Sequence, residues 1–114
     1  MKPLAKIISY ADAAVEPERF TMAPSKALPI ALEKAGLTKD DIDFFELNEA
    51  FASQSLACIR ELGLDPSKVN VNGGAIAIGH PLGCSGSRIS ATLLHEMKRS
   101  KHKYGLATMC VGVG

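Results

Sequence analysis

Three places in this sequence bring together side chains able to do chemistry. The first is GGAIAIGHPLGCSG at residues 73–86, where His80 and Cys84 stand four positions apart among five glycines in fourteen residues. Every glycine costs backbone entropy on folding, so this density suits a main chain that packs tightly or closely approaches a ligand. An imidazole beside a thiol could generate a nucleophilic thiolate. Here Pro81 lies in the short connection and biases His80 to an extended backbone. No hydrogen bond between the two is assured, and no third orienting residue is evident, so a hydrolase pair is the lesser reading; a surface histidine is the plain one. Neither the dinucleotide fingerprint nor the phosphate-loop pattern occurs among the glycines. The second place is Cys110, in an apolar run and two residues before Gly112. Such a cysteine is either inert core or a thiol presented at a strand end, beside an amide free to point at a ligand. The third is Asn48-Glu49-Ala50-Phe51, where a strand should give way to a helix. Asn48 could cap that helix, or its amide could hold a water or a substrate oxygen at the carboxyl end of the strand.

Positioning these groups calls for a set of alternating elements. Residues 4–10 (LAKIISY) are apolar and β-branched enough for a strand. A helix opening at 21–24 would bury Ala27, Ile30, Ala31 and Ala35 and stop at Gly36, with Pro29 inside it as a source of a kink. Residues 38–41 form a turn into a short strand over 44–47. Asn48 then caps a helix over 49–62, with Phe51, Leu56, Ile59 and Leu62 as its buried stripe and Gly63 as its stop. A brief extended piece at 69–71 precedes the glycine-rich stretch. The spacing of Ile89, Leu93, Leu94 and Met97 predicts a helix over 87–99, and residues 104–111 close as a strand. Cys58 falls mid-helix among apolar neighbours and reads as core. No repeat or interior linker divides the chain, so the fold class is α/β in one unit.

Composition narrows the function classes. With 46% hydrophobic and 22% charged residues, the 114-residue chain has an ordinary globular balance. A net charge of +1 offers no electrostatic case for nucleic acid or for an anionic membrane surface. Lysines and arginines near 98–103 fit a solvated helix end, where cations complement the dipole. Three cysteines, an odd number without CxxC pairing, argue against a disulfide framework and for a reducing compartment. The three histidines show no metal-ligand spacing with each other or with the cysteines. Acidic residues at Asp12 and Glu16 interrupt the first apolar stretch, so it reads neither as a signal peptide nor as a membrane span. The entry almost directly into a strand and the glycine-rich finish read as the ends of a fragment.

Taken together, NEAFA at 48–52, GGAIAIGHPLGCSGSR at 73–88 and GLATMCVG at 105–112 resemble the C-terminal half of the thiolase family, in the family's order and spacing. The resemblance implies a thiolase-like C-terminal domain spanning 1–114, with a mixed central sheet and helices on both faces. It also implies an incomplete one, lacking its first strand and helix and its last strand. By the same resemblance His80 activates a nucleophilic cysteine and helps bind a thioester oxygen, and Asn48 holds the water that completes this oxyanion site. Cys110 is implied as the general acid/base and the amide of Gly112 as part of a second oxyanion site, with Ala50 and Phe51 flanking the pantetheine end of coenzyme A. The implied reaction condenses two acetyl-CoA to acetoacetyl-CoA, or cleaves 3-ketoacyl-CoA with CoA. Coenzyme A thioesters are its substrates, and no metal or other cofactor is implied. The family's nucleophile lies in an N-terminal half that this chain does not contain, so that half is an implied partner, with homo-oligomers in the full protein. Cys84 stands where relatives often carry a small residue and is not promoted to nucleophile. Val113 replaces a glycine common in the terminal turn. The alternative is a non-catalytic thiolase-fold module that retains His80 and Cys110 as inherited features. A cytoplasmic location is the expectation, with mitochondria and peroxisomes as further homes of the family.

Overall fold

The sequence FFEL at Phe44–Leu47 folds as a strand, β1, with all four side chains buried. In the computed structural model, which describes residues 1–112, it is covered on both faces, the usual state of a parallel strand between helices. Strand β2, Gly105–Thr108, runs parallel to it, pairing Phe44 with Gly105 and Leu47 with Thr108. A single parallel bridge from Phe45 to Val69 continues the sheet on the other edge. No antiparallel pair occurs among the described residues.

Strand alternation sorts the β1 side chains between two layers. Phe45 packs with Leu28, Leu32, Ile42 and Leu64 in the main apolar cluster. Glu46 points to the opposite face, where the guanidinium of Arg88 approaches it at 3.1 Å. The first layer consists of helices α1 (Ala23–Ala35) and α2 (Ala52–Leu62); the second is the long helix α4 (Ser85–Ser100). A one-turn helix α3 (Ala75–Ile78) precedes α4. Glycines in the left-handed conformation end α1 and α2, Gly36 at φ 67° and Gly63 at φ 59°. The α/β reading therefore holds, with helices on both faces of the sheet.

Several elements differ from expectation for identifiable reasons. Residues 4–10 form no strand among the described residues, although their sequence suits one. Two hydrogen bonds tie them to α1, Ser9 Oγ donating to the Ala31 carbonyl at 2.7 Å and Lys34 Nζ to the Tyr10 carbonyl at 3.3 Å, and Lys34 also lies over the Tyr10 ring. They line one side of a groove of about 640 Å³ whose other walls include α1, α4 and β2, so no ladder partner stands beside them. Helix α1 buries Pro24, Ser25, Leu28 and Leu32, while Ile30 is exposed. The two leucines take the core side because each removes more apolar area from water than an alanine, about 1.5–3 kcal/mol per side chain. Ala27, Ala31 and Ala35 line the groove, whose wall Leu28 and Leu32 also reach. The helix continues through Pro29 to Ala35.

Helix α2 starts at Ala52 with Phe51 at its N-cap, so Asn48 is not the cap. Its fully buried residues are Gln54, Ser55 and Cys58; of the expected stripe Ile59 and Leu62 pack against the main apolar cluster, whereas Phe51 and Leu56 are exposed. Helix α4 begins two residues earlier than the spacing predicts and buries Ser85, Ile89, Leu93 and Glu96. Asn72, Arg99 and Ser100 all donate to the Glu96 carboxylate, holding it down to about 2. No helix of the described residues is long and apolar enough to cross a membrane.

Candidate functional site

Glu46 and Asn48, two residues apart on an extended backbone, share the face of β1 that meets the second layer. Asn48 lies just beyond the strand, where its N–H still donates to the Thr108 carbonyl at 3.0 Å. That bond joins the carboxyl ends of β1 and β2, the edge at which sites form in parallel α/β sheets. The Asn70 side chain supports the same end from the other side. Its Oδ1 accepts from the Leu47 N–H at 2.9 Å and its Nδ2 donates to the Leu47 carbonyl at 2.7 Å, standing in for a neighbouring strand residue. Asn70 adopts φ 50°, a conformation its short polar side chain tolerates better than most.

Glu49 then fixes the glycine-rich stretch. Its carboxylate accepts from Asn70 Nδ2 at 3.3 Å and from the Ile76 N–H at 3.0 Å, in the first turn of α3. The backbone of Gly74 lies so close that an added Cβ would fall inside the Glu49 carboxylate, which explains the glycine there. At the end of α3, Gly79 takes φ 99°, which an L side chain rarely adopts, and turns the chain into His80.

The half-buried His80 ring is held at both nitrogens. Nε2 lies 3.2 Å from Asn48 Nδ2, and Nδ1 lies 2.6 Å from the hydroxyl of Ser85. Ser85 Oγ also donates to the Pro81 carbonyl at 3.1 Å. Asn48 and Ser85 are both fully buried, and Asn48 Oδ1 has no partner among the described residues. Two residues earlier on β1, Glu46 Oε2 receives Arg88 Nη1 from the first turn of α4, the helix that opens with Ser85. Burial pushes the Glu46 carboxyl up to about 7, against the lowering effect of Arg88.

Cys110 lies two residues beyond β2, with 6% of its surface exposed. Burial pushes its thiol up, the opposite of the lowering that a ready thiolate base needs, so the resting form is the neutral thiol. Gly112 is packed against the Phe20 ring so closely that an added Cβ would meet Cε2 at 2.7 Å. Ala50 is half-buried, and Phe51 is 58% exposed at the start of α2. Val113 lies outside the described residues.

The structure thus brings Asn48 and His80 into contact and sets Cys110 past the adjacent strand. It records no bond between Cys84 and His80: Cys84 is exposed, and the two ring nitrogens go to Asn48 and Ser85. Sequence reasoning missed Ser85, Glu49 and Asn70. For Ser85 the available signal was a hydroxyl five residues after the histidine, just ahead of the helix expected over 87–99. Among the described residues no three His, Cys, Asp or Glu side chains converge as metal ligands.

Comparison with known proteins agrees along the whole chain. The family described as thiolase, C-terminal domain, matches residues 1–114. A 3-ketoacyl-CoA thiolase of Bacillus subtilis is 55% identical over 114 residues, covering 100% of this chain and 29% of that protein. An acetyl-CoA acetyltransferase of Yarrowia lipolytica is 59% identical over 111 residues, covering 97% of this chain and 28% of its own length. The crystal structure of the Bacillus anthracis acetyl-CoA acetyltransferase superposes with a TM-score of 0.96 at 46% identity, over 98% of this chain and 28% of that one. The chain therefore spans under a third of the length of the relatives it matches.

Proposed function

The chain belongs to the thiolase family, and from that premise we propose that it supplies the histidine side of an acyl-CoA acyltransferase site. The substrates are acyl-CoA thioesters and CoA, with acetyl-CoA and acetoacetyl-CoA the smallest pair. The nucleophilic thiol comes from a part of the protein outside these 114 residues, and further copies complete an oligomer.

The observation that carries this reading is the Asn48–His80 contact of 3.2 Å at the carboxyl ends of two parallel strands. In this proposal His80 Nε2 takes the proton of the nucleophilic thiol, and the thiolate attacks the thioester carbon. The carbon–sulfur bond to CoA then breaks, giving an acyl-enzyme and free CoA. In the condensation half, Cys110, left as a thiolate once its proton has gone to the departing CoA sulfur, takes the α-proton of a second acyl-CoA. The enolate attacks the acyl-enzyme carbonyl, the acyl–sulfur bond breaks, and the enzyme sulfur takes its proton back from His80. His80, once protonated, and a water oriented by Asn48 stabilise the enolate oxygen; the unpartnered Asn48 Oδ1 is an acceptor suited to orienting that water. The Gly112 amide serves the tetrahedral oxygen. One such donor is worth about 3–4 kcal/mol of barrier. The neutral Cys110 thiol supports an acid role first, with groups beyond this chain lowering it for the reverse step. Ala50 and Phe51 flank the pantetheine.

A second reading, a non-catalytic module that pairs with another chain, is favoured by exposed Phe51, Ile76, Ile78 and Leu82 beside the site. One experiment separates the two. This chain replaces the matching segment of the Bacillus subtilis relative, and thiolysis of acetoacetyl-CoA by CoA is followed. The expected result is turnover that falls by about 10²-fold or more with His80→Ala. A folded chimera without turnover, or one indifferent to His80→Ala, sinks the enzyme reading and leaves the module.

A further inference from the structure

The identity of His80's proton-bearing nitrogen decides what that ring can do, because only a nitrogen with a free lone pair accepts a proton. We propose that Ser85 is a positioning residue that holds His80 as its Nδ1–H tautomer, leaving the Nε2 lone pair toward Asn48 and the approaching nucleophile. The proposal rests on the reading of His80 as a base and adds the residue that makes it one.

The polarity of the hydrogen-bond chain carries the argument. It ends on the Pro81 carbonyl, which can only accept, so the Ser85 hydroxyl proton points there at 3.1 Å. With its own proton committed, Ser85 Oγ can only accept from His80 Nδ1, 2.6 Å away. Nδ1 therefore carries the ring proton in the neutral imidazole. Nε2 is left as an acceptor, matched by Asn48 Nδ2 at 3.2 Å. Reversing the chain would turn the serine proton to Nδ1, leave the Pro81 carbonyl without its serine donor and require the Asn48 amide to flip. The reversed chain thus has one hydrogen bond fewer, the Pro81 carbonyl keeping only the Cys84 N–H at 2.8 Å.

Local construction makes this polarity stable. Ser85 is the first residue of α4, and Pro81 lies four residues before it, so the hydroxyl reaches the carbonyl across a single turn. Arg88, one turn further along α4, bonds to Glu46 on β1, the strand that leads into Asn48. One helix start and one strand end therefore hold both partners of the ring. An imidazole free in water prefers the opposite Nε2–H form. Without Ser85, His80 would relax toward a tautomer whose Nε2 is already protonated and cannot take the thiol proton. A carboxylate plays the corresponding role in serine protease triads, where its loss leaves the histidine in the wrong tautomer.

The test reads the tautomer directly. The 114-residue chain with ¹⁵N-labelled histidine is studied by long-range ¹H–¹⁵N correlation at a pH where the rings are neutral, as wild type, Ser85→Ala and Ser85→Thr. The expected result is a pyridine-like Nε2 and a pyrrole-like Nδ1 for His80 in the wild type, inversion in Ser85→Ala, and retention in Ser85→Thr. His95 and His102 report whether a variant keeps its fold. A wild-type His80 protonated at Nε2 overturns the proposal without any variant. So does a folded Ser85→Ala whose His80 is unchanged. No substrate enters this measurement, so an inactive chimera with the expected wild-type tautomer would count against the proposed function alone. Where the chimera is active, Ser85→Ala lowers kcat by about 10- to 100-fold with little change in KM, and Ser85→Thr restores most of it.

Discussion

Replacing Glu46 with glutamine should change how the stability of this chain depends on pH. Glu46 is fully buried on β1, with Oε2 3.1 Å from Arg88 Nη1 and Oε1 without a partner among the described residues. Two Arg88 nitrogens, Nε and Nη2, are likewise buried without partners, so this ion pair is incompletely solvated by the protein. Burial raises the Glu46 carboxyl from 4.5 to about 7. Because the folded state holds this proton more tightly than the unfolded state, the group's stabilising contribution is complete below pH 4.5. It is lost progressively as pH rises through about 7. The size of the loss is the shift multiplied by about 1.4 kcal/mol per unit, or about 3 kcal/mol. Glutamine keeps the shape and carries no titration, so whatever fixed cost its weaker tie to Arg88 brings is independent of pH. Urea unfolding followed by circular dichroism, at a series of pH values from about 4 to 8, measures both proteins. Relative to wild type, Glu46→Gln should gain about 3 kcal/mol from the acid end of that range to the alkaline end. Two stability curves that run parallel across the window would refute the reasoning. Glu96→Gln is the control: that carboxylate is lowered to about 2, so its stabilisation is present above 4.5 and is lost only as pH falls through about 2, and this variant should run nearly parallel to wild type across that pH series.

Two further outcomes follow from packing. Alkylation of the native chain by iodoacetamide, mapped by peptide mass, should modify Cys84 at least about tenfold faster than Cys58 or Cys110. Cys84 is exposed, whereas the other two are buried and their thiols are pushed up. Labelling of Cys110 at the rate of Cys84 would remove the case for a protected, neutral thiol. Gly105→Ala should destabilise by about 1–3 kcal/mol in chemical denaturation. Its Cβ would stand 2.6 Å from Met97 Sδ and 2.8 Å from Leu93 Cδ1, between β2 and α4. A variant as stable as wild type would mean that the Met97 and Leu93 side chains swing aside at no cost.

Much of the fold and part of the site were legible in the order of the residues. The strand Phe44–Leu47, the glycine stops at Gly36 and Gly63 and the long last helix depend on local patterning, which a sequence displays directly. The family was also legible, because three glycine- and asparagine-bearing motifs in register are a linear signal. The nearness of Asn48 to His80, 32 residues apart, was implied by that family resemblance, and the two side chains do touch. Local propensity failed where neighbours decide. Residues 4–10 have the composition of a strand, but a strand needs a partner, and beside them the described residues leave a groove. Asn48 has the chemistry of a helix cap, yet its N–H bonds to Thr108 on the next strand and the helix starts at Ala52.

By itself, then, the sequence determined most of the elements, the family and the types of side chain available for chemistry. Only the tertiary structure decided how those side chains are tuned. It turned the Ser85 hydroxyl toward the Pro81 carbonyl and set His80 between Ser85 and Asn48. It enclosed Glu46 and Cys110 away from water. Hydrogen-bond polarity and desolvation are properties of what surrounds a group on every side, and a residue's neighbours along the chain make up only a small part of those surroundings.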